Sequence, residues 1–363
     1  MRGSAGVTLA FLLFVACREE TAAAAPDSEK APAVARHECI QPSPLNPEGK
    51  VVPWRHDRTG LLTVTQGRPN HRAADMVVAE GDRQVLSAKF AYGPADKDLE
   101  DEDVDVYVLD DPPCGKWVRL GTARTTDDDD TSQVEGIPAD EGLAFFEVPE
   151  DKRLPAGRHP VQMVVRGDHS AAAFDLYVLK PGTPAVVFDI DGTLTTDDFQ
   201  VVREIFEKIV THTYVPRMLV RSEDTVIAYA SAGYLPVYLT GRPEILARPT
   251  REWLRAKSFP PGILVLAQSA QDVLPIREGV GRYKAGFLQR AVRCGLEIQA
   301  AYGNAPTDID AYELAGISKK STYIVGKNRG MRNTQPIRNY REHLKELGAI
   351  PPADHPFSTW DRW

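Results

Sequence analysis

Cysteine is scarce in this chain, with 4 in 363 residues, and no Cys/His spacing suits a zinc site. A basic excess is missing too. Lys and Arg number 43 against 51 Asp and Glu, a formal net charge of -8, so a nucleic-acid footprint is not expected. Long apolar runs are also absent. The N-terminal stretch Val7–Ala16 is too short to span a bilayer. What remains is ordinary globular material, 42% hydrophobic, in a chain long enough for two domains with real cores.

At the N-terminus, Arg2 precedes that apolar stretch, which ends Val15-Ala16-Cys17 and has the length of a signal-peptide core. The junction resembles a bacterial lipoprotein cleavage site, with residues 1–16 as the signal peptide and Cys17 as the lipidated first residue. That resemblance implies a lipid-anchored protein of the bacterial cell envelope. Arg18 after the cysteine points to the outer membrane. Residues 17–39, rich in Ala, Pro and Glu, read as a flexible tether. In an oxidising envelope Cys39 and Cys114, which flank the β-rich region, are candidates for a disulfide. Cys294, in RAVRCGLEI, is expected as a buried free thiol.

From 40 to 182, short alternating segments are separated by Gly, Pro and Asp. They are Leu61–Thr65, Gln84–Tyr92, Val104–Leu109, Trp117–Ala123, Leu143–Val148, His159–Gly167 and Ala173–Leu179. About seven such strands predict an antiparallel β-sandwich. Its acidic runs, Asp96–Asp105 and Asp127–Asp130, read as solvated loops. From 183 to 349 the rhythm becomes strand, helix, strand, helix. Strands are expected at Ala185–Ile190, Tyr234–Thr240, Ile263–Gln268, Ile298–Gly303 and Ser321–Gly326. Apolar strands covered by crossover helices predict a doubly wound parallel α/β sheet. Ligands of such sheets collect at the carboxyl ends of the strands. The tail, 350–363, suggests no function.

Four segments at those ends carry chemistry. FDIDGTLT, Phe188–Thr195, puts Asp189 and Asp191 one residue apart behind an apolar strand. Alternation turns both the same way and Ile190 into the core. Crowded carboxylates repel, and a hard divalent cation such as magnesium relieves them. The same pair suits attack on phosphorus, with Asp189 as nucleophile and Asp191 as general acid and base. Next, YLTGR, Tyr238–Arg242, offers the Thr240 hydroxyl to phosphoryl oxygens. Lys284, in GRYKAGFLQ at the opening of a helix, can neutralise phosphate and carboxylates. Finally, in YGNAPTDIDAYELAG, Asn304 and Asp308 can complete an oxygen-rich magnesium site, with Asp310 as the alternate. Thr307 or Asp308 also suits a helix N-cap there.

In this order the four segments resemble the sequence motifs of the haloacid dehalogenase-like (HAD-like) phosphatase superfamily. FDIDGTLT, YLTGRPEILARPTREWLRAKSFPPG, YKAGFL and AAYGNAPTDIDAYELAGI resemble its lipin-type domain. That domain occurs in phosphatidate phosphatases and at the C-terminus of membrane-associated phosphatidylinositol-transfer proteins. The resemblance spans about Pro184–Gly326. It implies a HAD-like sheet without a large cap, preceded by an immunoglobulin-like sandwich. It also implies Asp189 as the phosphoryl acceptor, Asp191 as acid/base and, through its backbone carbonyl, a Mg2+ ligand. Thr240 and Lys284 become the phosphoryl clamp, and Asp189, Asn304 and Asp308 the other metal ligands. Transfer-protein relatives can lack the first aspartate and then bind lipid without hydrolysing it; this chain keeps Asp189. Members that accumulate the aspartyl-phosphate tend to place Thr where this chain has Asp191.

The short run between Gly192 and Tyr234 leaves no room for a large cap. Within it, Phe199, Val202, Phe206, Ile209 and Val210 recur at helical spacing, which suits core packing or a membrane-touching lip. The expected partner is a phosphorylated lipid, phosphatidate foremost, at a membrane reached through the N-terminal anchor. Two alternatives stay open: a soluble phosphomonoester as substrate, or a phosphatidate- or phosphoinositide-binding module without turnover.

Overall fold

A computed structural model describes residues 52–57, 65–112, 115–127, 133–134, 137–138, 142–196, 216–267 and 277–357. Cys17, Cys39, Cys114, most of Leu61–Thr65 and the stripe from Phe199 to Val210 lie outside them. Among the described residues the first half is strand apart from one 3-10 turn at Glu150–Lys152. It contains β1 (Met76–Ala79), β2 (Val85–Lys89), β3 (Ala91–Tyr92), β4 (Lys97–Asp98), β5 (Asp103–Leu109) and β6 (Trp117–Arg124). It continues with β7 (Gln133–Val134), β8 (Ile137–Pro138), β9 (Leu143–Glu147), β10 (Gly157–Val165) and β11 (Ala171–Leu179).

One sheet runs β1-β11-β10-β5-β6, and β2 pairs with β9 apart from it. Period-2 alternation decides which side chains meet: Val104, Val106, Met163, Phe174 and Leu176 join Leu86 and Phe90 in one core. The expectation of a wholly antiparallel sandwich fails at one edge, where β1 runs parallel to β11 with Met76 opposite Leu176. The reason lies one residue upstream. Asp75 accepts the Asp175 backbone N–H at 2.8 Å, which fixes the entry of β1 against β11. The first acidic run is neutralised locally: Arg72 meets Asp96 at 2.6 Å, Lys89 meets Asp98 at 2.7 Å, and Arg119 and Arg166 meet Asp105 at 2.7 and 3.0 Å.

The second half is a six-stranded sheet. Its strands are β12 (Thr183–Asp189), β13 (Leu235–Pro243), β14 (Ile263–Ala267), β15 (Leu296–Gly303), β16 (Thr322–Val325) and β17 (Gln335–Ile337). All neighbours are parallel, in the order β14-β13-β12-β15-β16-β17. Helices α1 (Ser222–Ser231), α2 (Ala247–Ala256), α3 (Arg277–Arg293) and α4 (Pro306–Leu314) lie on the crossovers from β12 to β16, short 3-10 turns link β16 to β17, and α5 (Tyr340–Leu347) follows β17. All five expected strands form, and β17 with α5 extends the edge. The chain winds outward from β12 through β13 to β14, then returns to β12's other side as β15. The gap between the carboxyl ends of β12 and β15 is therefore the switch point where such sheets bind ligands.

Every residue of β12 is buried. Val186 and Phe188 face one core with Tyr238 and Tyr302, while Ala185 and Val187 face the other with Leu288 on α3 and Ala311 on α4. Asp189 continues the odd-numbered register. It therefore points to the α3/α4 side.

The two halves share buried charge. Arg251 of α2 meets Asp75 at 2.7 Å and Asp175 at 3.2 Å, and Arg158 meets Asp175 at 2.9 Å. Asp75 also accepts the Leu264 backbone N–H at 2.8 Å. Val77, Tyr177 and Leu179 of the first sheet pack with Ala185 and Leu235 of the second. Cys294 is not the free thiol expected. It is disulfide-bonded, with a partner outside the described residues, and its sulfur lies 3.9 Å from the Val77 carbonyl oxygen.

Candidate active site

The end of β12 becomes a turn because Gly192 takes φ 78°, a left-handed conformation that favours glycine. Space requires it as well: a Cβ at Gly192 would stand 2.0 Å from Asn304 Nδ2. Asn304 thus lies against the turn that follows β12, from across the switch point. Gly303 is small for a similar reason, since a Cβ there would come 2.6 Å from that of Asp308.

Asp189 and Asp308 meet through Lys284, whose Nζ donates to Asp189 Oδ1 at 2.6 Å and Asp308 Oδ1 at 2.7 Å. Asp308 Oδ2 accepts the backbone N–H groups of Asn304 and Ala305, each at 3.0 Å. Asp308 therefore ties the strand end to α4 while presenting its other oxygen to the site. Thr193 Oγ1 donates to Asp189 Oδ2 at 2.8 Å. Lys284 does not open its helix as expected. It lies about two turns into α3, on the stripe that buries Ala285 and Leu288.

Asp191 has different partners. Thr240 Oγ1 donates to its Oδ2 at 2.8 Å, and Arg242 donates from Nε and from a terminal nitrogen at 2.8 to 3.1 Å. Arg242 also donates to Thr250 Oγ1 at 3.1 Å and is 2% exposed. The Thr240 hydroxyl, expected to face a phosphoryl group, is here turned to Asp191. Asp310 is turned away, paired with Arg332 at the surface. Arg242 and Thr193 stand inside motifs that sequence reasoning quoted without giving either a role. A buried arginine needs a buried acid, and the nearest in the motif order was Asp191.

Charge can be counted. Arg242 cancels Asp191, whereas Lys284 faces two carboxylates, Asp189 and Asp308, leaving one negative charge in excess. Burial, then the Asp308 charge, push the Asp189 carboxyl up to about 8. Burial alone would lower the Lys284 ammonium, but Asp189 and Asp308 outweigh it and hold it above its usual range. Such a site takes up a proton or a cation. Among the described residues no three His, Cys, Asp or Glu side chains form a cage for a metal. A cation here would rely on Asn304 and a main-chain carbonyl beside the two carboxylates, an all-oxygen set that suits a hard ion.

Comparison with known proteins gives the class first. Residues 186–326 match the LNS2 domain of the PITM 1-3 family, and residues 69–178 match the β-sandwich domain of the same family. LNS2 is a HAD-like, lipin-type domain, so the chain is a β-sandwich followed by LNS2. Its homologues are membrane-associated phosphatidylinositol transfer proteins. It is 37% identical to membrane-associated phosphatidylinositol transfer protein 1 of Rattus norvegicus over 322 residues, 88% of this chain and 23% of the rat protein. It is 32% identical to protein retinal degeneration B of Drosophila melanogaster over 302 residues, 82% of this chain and 21% of that protein. The chain therefore spans less than a quarter of either relative. These relatives are eukaryotic, which overturns the placement at a bacterial outer membrane. That placement rested on a ten-residue apolar run and one small residue before Cys17, features that composition alone readily produces.

Proposed function

We propose that the LNS2 half hydrolyses a phosphomonoester through a phosphorylated Asp189, with phosphatidate or a related lipid phosphate as substrate. The observation that carries this reading is the Asp189–Lys284–Asp308 cluster: a carboxylate at the switch point, backed by a buried ammonium and left with one negative charge in excess. Asp189 attacks phosphorus, and the ester oxygen leaves with a proton from Asp191. Asp191 then takes a proton from the water that attacks the aspartyl phosphate, which frees phosphate and restores Asp189. Lys284 holds charge on the phosphoryl oxygens, and Thr193 holds Asp189 in line. Asp189, Asn304, Asp308 and the Asp191 carbonyl would hold magnesium, which supplies further charge neutralisation at the phosphoryl group. The membrane association and phosphatidylinositol transfer in the relatives' names support a lipid phosphate over a soluble one.

A second reading, headgroup binding without turnover, is favoured by one observation. Both Asp191 oxygens are taken by Thr240 and Arg242, so the proton-transfer role requires Arg242 to release one of them. One assay separates the readings. Magnesium-dependent phosphate release from phosphatidate in mixed micelles, and faster than from a soluble aryl phosphate, is the expected result. Micelle binding with no release from either substrate supports the second reading, and release from the aryl phosphate alone excludes a lipid substrate.

A further inference from the structure

The last part of the LNS2 half inverts the charge of the chain. Between Gly326 and Lys345 stand six basic residues, Lys327, Arg329, Arg332, Arg338, Arg341 and Lys345, against one acid, Glu342. Topology puts this charge near one edge. Lys327 follows β16 and Arg338 follows β17, so both lie at the carboxyl edge of the sheet, where Asp189 lies. Arg341 is in the first turn of α5, with Lys345 one turn on, on the same helix face. Arg221 stands at the start of α1 with φ 71°, a conformation uncommon outside glycine.

Arg221, Arg341, Leu344 and Lys345 line one recess of about 280 Å³ between α1 and α5. It adjoins the catalytic turn from both sides. Ser222, next to Arg221, donates from Oγ to the Leu194 carbonyl at 3.3 Å, and Tyr340, next to Arg341, donates from Oη to the Thr193 carbonyl at 3.0 Å. Arg341 and Lys345 form no ion pair among the described residues. Among the described residues Arg221 pairs with Asp224 of the helix it caps. Apolar residues flank the charge: Val220 is 70% exposed and Met331 39%. Basic side chains bordered by exposed apolar ones match the boundary of an anionic bilayer.

We propose that this recess is an anion site distinct from the Asp189 cluster. It seats the headgroup of an anionic phospholipid and sets the carboxyl edge of the sheet against the membrane. Its purpose rests on the lipid-phosphate reading of the catalytic cluster, since a substrate in the same bilayer then meets Asp189. Its test needs no turnover, because phosphatidylserine carries no phosphomonoester. Binding of the whole chain is measured to vesicles of phosphatidylcholine alone and with phosphatidylserine added. The comparison variants are Arg341→Gln/Lys345→Gln and that pair with Arg221→Gln, with melting temperatures recorded for each.

The wild type is expected to bind the phosphatidylserine vesicles more tightly, and less tightly as salt rises. The double variant should bind about 25-fold and the triple about 125-fold more weakly, at about fivefold per charge. Both should keep the wild-type melting temperature and whatever aryl-phosphate hydrolysis the wild type shows. The double variant removes two exposed side chains without ion-pair partners among the described residues, so it keeps the test decisive should the triple variant fold poorly. Equal binding to both kinds of vesicle, or a double variant that binds as the wild type does, overturns the proposal. Loss of hydrolysis in all assays with vesicle binding intact would instead refute the catalytic reading and leave the recess standing.

Discussion

Asp189→Asn should lower magnesium-dependent phosphate release by about 10⁴-fold or more, the scale seen when a covalent nucleophile is removed. The same change should raise stability in chelator. Wild-type Asp189 is buried beside Asp308 with one ammonium between them, and its carboxyl is pushed up to about 8 from an ordinary 3.8. A group whose folded pKa exceeds its unfolded one gives stability that is present below the unfolded value and lost as pH rises through the folded one. Metal-free wild type should therefore lose stability relative to the variant between about pH 4 and pH 8, the ordinary and raised values of this carboxyl. Asparagine keeps an acceptor for Lys284 and carries no charge to desolvate. Thermal melts of both proteins in chelator across that range read the difference directly. A variant that melts lower than wild type at pH 8 would mean that Asp189 is not the strained member of the cluster.

Lys284→Met should have the largest effect on folding. It leaves Asp189 and Asp308 facing each other, both buried, with no counter-charge. Breaking a buried pair in this way costs about 3–5 kcal/mol, a fall in melting temperature on the order of 10 °C for a domain of this size. Adding Asp308→Asn or Asp189→Asn removes one of the two stranded charges and should recover much of the loss. That rescue is what identifies electrostatics, and not lost packing, as the cause. Magnesium should stabilise Lys284→Met more than it stabilises wild type, because more negative charge is left for it to neutralise. Phosphate release should fall by about 10²–10³-fold, as for loss of one group that stabilises transition-state charge. A Lys284→Met protein as stable as wild type would remove the charge count on which the site reading stands.

The parallel half was legible because its signals are local. Apolar runs of five or six residues made β12 to β16 visible, and period-2 alternation correctly placed Ile190 in the core and Asp189 on the opposite side. What escaped was decided by contacts far apart in sequence. β1 is four residues long, and it joins β11 in parallel through Asp75 and Asp175, 100 residues apart. Arg242 gives no sign in TGR that it will clamp Asp191, because the loop geometry alone brings the two together. Thr240 was assigned to a phosphoryl group and stands on Asp191 for the same reason. The sequence reading opens a helix at Lys284, whereas α3 begins at Arg277. In the fold Gly281 sits inside α3, where the helix passes Thr307: a Cβ there would come 3.5 Å from the Thr307 carbonyl oxygen. The cluster of Asp189, Lys284, Asn304 and Asp308 was nonetheless named from sequence, since each lies at the carboxyl end of its strand or on the helix beside it.

The most direct measurement is chemical trapping of the acyl phosphate. The protein is mixed with magnesium and phosphatidate, quenched during turnover, reduced with borohydride and read by peptide mass spectrometry. Reduction of an aspartyl phosphate yields homoserine, and the account predicts that product at position 189 and nowhere else. Continued phosphate release with residue 189 recovered as unmodified aspartate, or homoserine at a different position, would contradict it.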